Sequence, residues 1–366
     1  MTTSLKKFDT GFPADAVEFC PHPLAQDILV CGTYKLLEEQ DHAGKQQRVG
    51  RCLFFAVLAD GNLTLLQEFS LPAIPDIKWC HMSSAVDPVI AVADSEGGIN
   101  LLHWSVSERK ATLFQKVACG SADTLCLSLD WDNRRLSSRY SVNLIRDLPV
   151  VQGYSSLGSL VVSQSDGSLS LLRSRDGIMT VVENWHAHDY EPWISAWNYW
   201  DTNVIFSGGD DLRMKGWDVR QGFDSPIFEN RRFESGITTI QTHPHVEHLI
   251  AVGSYDEKVR LFDTRMPLRT LQEAHVGGGV WRVKWHPSED RREDLLVACM
   301  HDGLKVIQFD QGLPDIARGG FKLLHRFDQH ESMAYGADWS FVSRGESTSL
   351  VASCSFYDQT LHLWRG

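Results

Sequence analysis

The sequence lacks an excess of basic residues. Its 366 residues include 35 Lys and Arg against 47 Asp and Glu, which gives a formal net charge of −12. A surface that binds nucleic acid through general positive charge is therefore disfavoured, and a cationic ligand or partner is favoured. The eight cysteines contain no C-x-x-C pair, and several lie in apolar runs. This pattern is typical of reduced, buried thiols in a cytoplasmic protein.

Long hydrophobic runs are also missing. The apolar run LFFAVLA is far too short to span a bilayer, and the start MTTSLKKFDT has no apolar core for a signal peptide. We therefore expect a cytoplasmic protein with no membrane contact.

Familiar catalytic motifs are scarce too. The sequence has no G-x-S-x-G nucleophile elbow and no H-E-x-x-H zinc motif. The segment HPHVEH places His243, His245 and His248 at a spacing that a metal site can use. Its predicted position between two strands favours an ordinary turn. We expect neither a metal nor a cofactor.

What the sequence does contain is a degenerate repeat. In FSGGDDLRMKGWD small residues precede Asp211, and Trp217 follows six positions later. The same frame fits segments around five other acids, namely Glu96, Asp166, Asp256, Asp302 and Asp358. From Asp166 to Asp302 the acids recur about every 45 residues, the period of a WD40 propeller blade with four short strands.

The repeat predicts an all-β fold, a seven-bladed WD40 β-propeller that occupies residues 1–366 as a single domain. Six blades carry the frame, and the segment 16–37 supplies a weaker seventh. Because Trp364 ends a third strand, we expect the N-terminal strand around Leu5 to Asp9 to close the ring. The irregular intervals predict surface-loop insertions near 38–51, 132–157 and 311–329.

Three histidines stand 23 to 28 positions before their blade acids, namely His188, His275 and His330. In this fold such a histidine usually forms a hydrogen bond to the acid of its blade, in a network with a small hydroxyl residue and a Trp. We therefore expect these residues and their acids to be structural.

Candidate site residues appear at positions with no structural role. The residue before each blade acid lies at a loop tip near the central channel, and in four consecutive blades these residues are Asp210, Tyr255, His301 and Tyr357. Alignment of the first strands adds a second set, formed by Trp193, Trp281 and Tyr335. Aromatic faces beside carboxylates suit a cation, above all a quaternary ammonium group. An imidazole such as that of His301 suits acid–base work near neutral pH.

The C-terminal half carries a more specific resemblance. HDYEPWISAWNYW, GGGVWRVKWHP, HESMAYGADW and CSFYDQTLHLWRG resemble the diphthine methylesterase family, WD40 proteins of diphthamide biosynthesis. The resemblance covers about residues 185–366 and is weaker before them. It implies a cofactor-free hydrolase that removes the methyl ester of methylated diphthine, a modified histidine of elongation factor 2, and releases methanol. That substrate carries a trimethylammonium group beside the ester.

On this interpretation elongation factor 2 is the protein substrate, no nucleic acid is bound directly, and the protein is expected to be a monomer. We predict that His301 assists the attacking water and that Asp210 or Glu191 balances charge. Trp193, Tyr255, Trp281, Tyr335 and Tyr357 would form the substrate-binding cage.

Two other functions stay open. Most WD40 proteins are non-catalytic scaffolds, and the fold alone does not decide activity. The Asp-x-Arg endings at Arg220 and Arg265 also resemble a motif of ubiquitin-ligase substrate receptors, although an ordinary turn cap gives the same pattern.

Overall fold

The structure is a computed structural model that describes residues 2–40, 46–58, 60–81, 87–134, 157–309, 320–342 and 348–366. Within these ranges it is built from short strands and one 3-10 turn, Glu289–Arg291. The strands of the first three blades and the closing strand are β1 (Ser4–Asp9), β2 (Ala14–Phe19), β3 (Ile28–Thr33), β4 (Lys35–Gln40), β5 (Gln46–Val57), β6 (Leu63–Pro72), β7 (Asp76–Trp79), β8 (Val89–Ala93), β9 (Gly98–Ser105), β10 (Lys110–Ala118), β11 (Cys126–Trp131), β12 (Ser159–Gln164), β13 (Ser168–Arg175) and β14 (Ile178–His186).

The remaining strands are β15 (Ile194–Trp197), β16 (Val204–Gly208), β17 (Met214–Asp218), β18 (Phe228–Asn230), β19 (Ile237–Thr242), β20 (Leu249–Ser254), β21 (Lys258–Asp263), β22 (Thr270–His275), β23 (Arg282–Trp285), β24 (Asp294–Ala298), β25 (Leu304–Phe309), β26 (Phe321–Phe327), β27 (Ala334–Trp339), β28 (Leu350–Ser355) and β29 (Thr360–Arg365). They form seven antiparallel sheets, one for each blade of a β-propeller, which confirms the predicted fold.

Each blade runs outward from an innermost strand that lines the channel. The innermost strands are β2, β7, β11, β15, β19, β23 and β27. Middle strands such as β3 (ILVCGT) and β20 (LIAVGS) are buried along their whole length, because neighbouring blades cover both of their faces. The core therefore lies between blades, as in the cluster that joins Val30 and Phe54 of the first blade to Ile90 of the second.

Tryptophans at the ends of innermost strands connect neighbouring blades. The indole N–H of Trp131 donates to the carbonyl of Lys78 at 3.0 Å, and that of Trp197 to the carbonyl of Asp130 at 3.1 Å. Trp339 bonds in the same way to Lys284 at 2.9 Å. These contacts hold adjacent innermost strands at a constant height around the channel.

The N-terminal strand closes the ring, as predicted. β1 pairs antiparallel with β29, with Lys7 opposite His362 and Asp9 opposite Thr360. Phe8 also packs edge-on against Phe55 of the first blade, with ring centroids 4.8 Å apart. The strand thus completes the seventh blade and joins it to the first.

Two of the predicted loop insertions contain strands. Within 38–51, the end of β4 and the start of β5 are paired, and Lys35 and Leu36 face Val49 and Arg48. The reason is that β5 is longer than β3: its second half pairs with β3, and its first residues pair with β4. Within 311–329, residues 321–327 form β26, the outer strand of the sixth blade. Residues 135–156 and 310–319 lie outside the described residues.

Candidate functional site

One end of the channel is lined by a ring of equivalent residues. At the start of each innermost strand, or directly before it, one residue stands four positions ahead of an equivalent residue near the strand end. These later residues are Phe19, Trp79, Trp131, Trp197, Thr242, Trp285 and Trp339. We call the seven earlier residues the mouth ring: Asp15, Pro75, Leu127, Trp193, Thr238, Trp281 and Tyr335. At four of them a shift in strand register marks a bulge, at Asp15, Leu127, Thr238 and Tyr335. A bulge turns its side chain out of the normal alternation and often lies next to a functional site.

Aromatic side chains in the mouth ring and in the loops beside it meet in a continuous arc. The rings of Trp281 and Tyr335 stack with centroids 4.6 Å apart, and Trp193 lies 5.6 Å from Trp281. Tyr255 lies 6.1 Å from Trp281, and Phe356 lies 5.3 Å from Tyr335. We call these five residues the aromatic arc. They span four consecutive blades at one side of the channel.

The structure brings together all five predicted binding residues. Four belong to the aromatic arc, and Tyr357 joins it through Phe356, at 5.1 Å between ring centroids. Their role in binding stays a prediction. The sequence analysis missed Phe356 and also Tyr34, 6.3 Å from Phe356. Phe356 directly precedes Tyr357 in the motif CSFYD, so considering both positions before the acid would have found it.

Two predicted acids lie at one edge of the arc. The backbone N–H of Asp210 donates to the carbonyl of Glu191 at 3.0 Å. Gly236 has no side chain, and this lets the Asp210 carboxylate and the Tyr255 ring approach each other over its Cα. Partial burial raises the pKa of Asp210, the Trp193 indole N–H lowers it in part, and the nearby charge of Glu191 raises it again. Two carboxyl groups therefore lie together at this edge of the arc.

The predicted catalytic histidine stands apart. His301 is exposed at the turn between β24 and β25. Across the described ranges it has no hydrogen bond, ion pair or ring contact with the aromatic arc. Its proposed role stays a prediction that no contact supports.

A different acid belongs to the mouth ring. Asp15 is only 7% exposed, and its Oδ1 is buried without a hydrogen bond of normal geometry. Burial raises the pKa of this carboxyl to about 7, although Arg282 and the Trp281 indole N–H lower it in part. Burial is the main cause that raises the pKa of Tyr335, and the charge of Asp15 raises it further. Asp15 also belongs to the same ring as Tyr335, in the neighbouring blade. Aligning ADAVEF with AYGADW would have found it, because Asp15 then falls on Tyr335.

Deeper in the channel the charged residues are paired. We call the channel charge network the set Glu18, Asp76, Lys78, Asp130, Arg134, Arg282, Lys284 and Asp338. Its centre is Glu18, which forms ion pairs with Lys284, Arg134 at 3.0 Å and Lys78 at 3.6 Å. Burial alone would raise the pKa of Glu18, but these three cations outweigh it and hold the pKa well below its usual range.

Comparison with known proteins decides the family. The chain is 36% identical to "Diphthine methyltransferase" of Mus musculus over 348 residues, 92% of this chain and 69% of the relative. It is 35% identical to the Homo sapiens protein of that name, covering 93% and 75%, and 32% identical to a Dictyostelium discoideum homologue, covering 96% of both. The chain belongs to the diphthine methyltransferase family.

Structural comparison adds the fold alone. A chain of a mitotic checkpoint complex crystal structure superposes with a TM-score of 0.69 at 16% identity, covering 100% of this chain and 92% of that one. No family model matches the chain. The name of the diphthine methyltransferase family fits a role in diphthamide biosynthesis and suggests an enzyme, in line with the resemblance in the sequence.

The fourth blade contains a buried set of Ser, His and Asp residues, and this set has a structural role. In the fourth blade His188 contacts Asp211 at 2.9 Å and the Ser207 hydroxyl at 2.7 Å, and the Trp217 indole N–H donates to the same hydroxyl. Ser207 and His188 are fully buried, so no ester reaches them. The predicted network is confirmed for this blade.

The two other histidine networks differ. His330 bonds the hydroxyls of Ser353 and Thr360 at 2.9 and 3.1 Å, in place of a direct bond to its blade acid. His275 is exposed and pairs with Glu257 at 3.2 Å, so the prediction that it bonds Asp302 is wrong. By strand pairing, blade six has Val297 at the position of Ser207, and no hydroxyl is available to bridge.

The remaining motifs have ordinary roles. His243 lies in a turn, as expected, where its Nδ1 accepts hydrogen bonds from the backbone N–H groups of His245 and Val246, both at 2.9 Å. Arg220 and Arg265 each bond the Asp two positions earlier, at 2.7 and 2.6 Å, and so act as turn caps. Among the described residues, no three His, Cys, Asp or Glu are grouped to hold a metal ion, and no helix is long and apolar enough to cross a membrane.

Proposed function

We propose that the protein hydrolyses the methyl ester of methylated diphthine on elongation factor 2 and releases methanol. The observation that carries the proposal is the aromatic arc at the channel mouth, with Asp210 and Glu191 at its edge. The relatives carry diphthine in their name, and methylated diphthine bears a trimethylammonium group close to its ester.

A trimethylammonium group has no N–H and cannot donate a conventional hydrogen bond. Recognition therefore depends on cation–π contact with aromatic faces, each of which contributes roughly 0.5–2 kcal/mol according to its desolvation. Trp281 and Tyr335 are half-buried and form the stacked centre of the arc. Asp210 supplies negative charge at the edge, beside Tyr255. This combination favours a quaternary cation over a neutral group of the same shape.

The surface around the mouth suits a protein substrate. Tyr357 is 67% exposed and Tyr190 is 63% exposed, and Leu212 also presents an apolar side chain to solvent. All three lie in loops at the same end of the blades as the aromatic arc. We propose that they contact the substrate protein around the modified histidine while the modified side chain enters the mouth.

Intact-mass spectrometry tests the proposed reaction. The purified protein is incubated, without any methyl donor, with elongation factor 2 that carries methylated diphthine. The expected result is a loss of one CH₂ equivalent from the substrate with one methanol released per turnover. Stable binding with no change in mass would contradict hydrolysis and favour a scaffold. Methylation of unesterified diphthine when a donor is added, with no hydrolysis, would favour the methyl transfer that the relatives' name describes.

A neutral analogue tests the role of the arc separately. In the matched substrate a tert-butyl group replaces trimethylammonium, which keeps the shape and removes the charge. We expect the KM of the neutral analogue to be about tenfold higher, which corresponds to about 1.4 kcal/mol. Equal KM values for the two substrates would contradict cation recognition by the arc.

A further inference from the structure

We propose that Asp15 is the general base of the site and removes the proton of the water that attacks the ester. This inference rests on the proposed hydrolysis and assigns the reacting proton to a side chain that the sequence analysis did not consider. Asp15 lies in the mouth ring itself, next to the aromatic arc, and is 7% exposed, whereas Ser207 and His188 are fully buried.

The location of Asp15 fits a catalytic role. It occupies the same ring position as Trp193, Trp281 and Tyr335, and its blade lies next to that of Tyr335. The register shift between Ala14 and Ala16 places it at a bulge, as at Tyr335. Burial raises the pKa of Tyr335, and the charge of Asp15 raises it further. A cation bound on the arc therefore brings its neighbouring ester to Asp15.

Other acids in the channel show what a structural carboxylate does here. Each accepts the backbone N–H of the next blade: Asp76 from Leu129 at 3.2 Å, Asp130 from Trp197 at 2.9 Å and Asp338 from Phe19 at 2.8 Å. Asp15 accepts no such backbone N–H in the described part of the chain, and its Oδ1 is buried without a hydrogen bond of normal geometry. The donor that faces its carboxyl is the Trp281 indole N–H of the mouth ring. Buried polar atoms are nearly always hydrogen-bonded, and the exceptions concentrate at functional sites.

The ion pairs of the channel also distinguish Asp15 from the other channel acids. Glu18, Asp76, Asp130 and Asp338 all form ion pairs with the four cations of the channel charge network. Over the described residues Asp15 forms no ion pair within 4 Å. Its carboxylate is the acid whose charge the channel leaves without a direct partner, so it gains most from taking up a proton.

Several titratable groups face Asp15 from the strands around it. They are Arg282 on β23, Asp76 on β7, Tyr335 on β27, Cys354 on β28, and Tyr34 and Tyr255 in loops of the mouth. Burial raises the pKa of Asp15 to about 7, Arg282 lowers it and Asp76 raises it. Both protonation states are therefore accessible near neutral pH, as a group that accepts and then returns a proton requires.

The reaction balances with water as the only co-reactant. The water oxygen bonds to the ester carbon as its proton moves to an Asp15 oxygen, and the carbonyl π electrons move onto the ester oxygen. Arg282, which faces Asp15 and lies 3.4 Å from Asp76, supplies positive charge near this oxyanion. When the carbonyl re-forms, the C–OCH₃ bond breaks and the methoxide oxygen takes the proton from Asp15. Diphthine and methanol leave, and Asp15 is again ionised.

Asp15→Asn removes the proton acceptor at nearly constant volume. With elongation factor 2 that carries methylated diphthine, we expect kcat to fall by about 10²–10⁴-fold while KM stays unchanged. The wild-type kcat should rise with pH and level off above about 7, since Asp15 acts in its ionised form. The residual activity of the variant should lack this acidic limb.

Asp130→Asn is the matched control. Asp130 is another buried channel acid with a pKa raised by burial, but it accepts the Trp197 N–H and pairs with Arg134. Its variant should keep both kcat and the acidic limb. Activity of Asp15→Asn within threefold of the wild type, with the limb intact, would overturn the inference and leave the proposed hydrolysis standing.

A variant that fails to fold does not end the test. In that case the wild-type pH profile decides, and a kcat independent of pH between 5 and 8 would overturn the role of Asp15. A wild-type protein that releases no methanol contradicts the proposed hydrolysis itself, so the two failures are distinguishable.

Discussion

At the mouth of the channel the Asp15 carboxyl lacks an ion-pair partner within the described residues. Three positions later in the same strand, the equally buried Glu18 contacts Lys284, Lys78 and Arg134. The pKa of Asp15 is raised to about 7 by burial, whereas the cations around Glu18 outweigh burial and lower its pKa. The same strand thus carries a reactive acid and a structural acid, and the difference lies in the partners that other blades provide.

The tryptophans of the channel mouth and of the lower channel also differ in their hydrogen-bond partners. Trp339 below the mouth is buried and donates its indole N–H to Lys284. Trp281 in the mouth is partly exposed, and among the described residues no backbone carbonyl accepts its indole N–H. The indole instead faces the Asp15 carboxyl, where it offsets part of the rise in pKa that burial causes. Side chains in the lower channel join the blades, and those in the mouth are free to contact a ligand.

Loss of Glu18 should have the largest effect on stability. In Glu18→Gln the three cations keep their charges and lose their central acid, so we expect the free energy of unfolding to fall by roughly 3–5 kcal/mol. Urea denaturation at pH 8 measures it. Glu18 stabilises the fold above its unfolded pKa, and this contribution is lost as pH falls through its lowered folded pKa. A loss below about 1 kcal/mol would remove the contrast between the two regions.

Asp15→Asn should change stability in the opposite direction. Because burial raises the pKa of Asp15 from 3.8 to about 7, the folded state binds this proton more tightly than the unfolded chain. Wild-type stability therefore falls through this group as pH rises from about 4 to about 7. At pH 8 the variant should be more stable by up to about 4 kcal/mol, and the gain should vanish towards pH 4.

Thermal and urea unfolding of both proteins at pH 4, 6 and 8 check this prediction. Asp130→Asn is again the control, since it loses a carboxylate that accepts a backbone N–H and pairs with Arg134. A variant of Asp15 that is less stable than the wild type at pH 8 would mean that the carboxylate has a structural partner.

The smallest effect concerns the aromatic arc. Trp281→Leu should raise KM for the trimethylammonium substrate by about 5- to 30-fold, or roughly 1–2 kcal/mol, with a change in stability below about 1 kcal/mol. Trp339→Leu, the same change in the lower channel, should leave KM unchanged and cost about 2–4 kcal/mol of stability. Steady-state kinetics and urea denaturation on both variants measure the two effects. Equal effects of the two changes on KM would contradict the separation of the regions.

The fold was predictable because each blade repeats local signals. The acid before β17 recurs along the chain, and so does an aromatic or apolar residue near the end of the equivalent strands. The register of these signals also placed Trp193, Trp281 and Tyr335 at equivalent heights. Ring closure by the N-terminal strand followed from the count of strands in the last blade. These features depend on short segments that adopt the same local structure in every blade, whichever segments pack against them.

The charges of the channel were not predictable in this way. Glu18 meets Lys284 across 266 positions of sequence, and the first blade carries Phe19 where most others have Trp. Without that Trp the register of the first blade was weak, and Asp15 was not aligned with Tyr335. The prediction for His275 failed because this residue ends its outer strand, as His186 does in the third blade, and Gly277 stands at the position of His188.

The protonation of Asp15 itself provides the most direct test of the contrast. The protein is labelled with ¹³C at the aspartate Cγ, and the Asp15 signal is assigned by its absence from Asp15→Asn. A titration of that signal from pH 4 to 9 should show a midpoint near 7. A midpoint near 3.8, the ordinary value for an aspartate, would show that the channel mouth stabilises the Asp15 charge and would contradict the account.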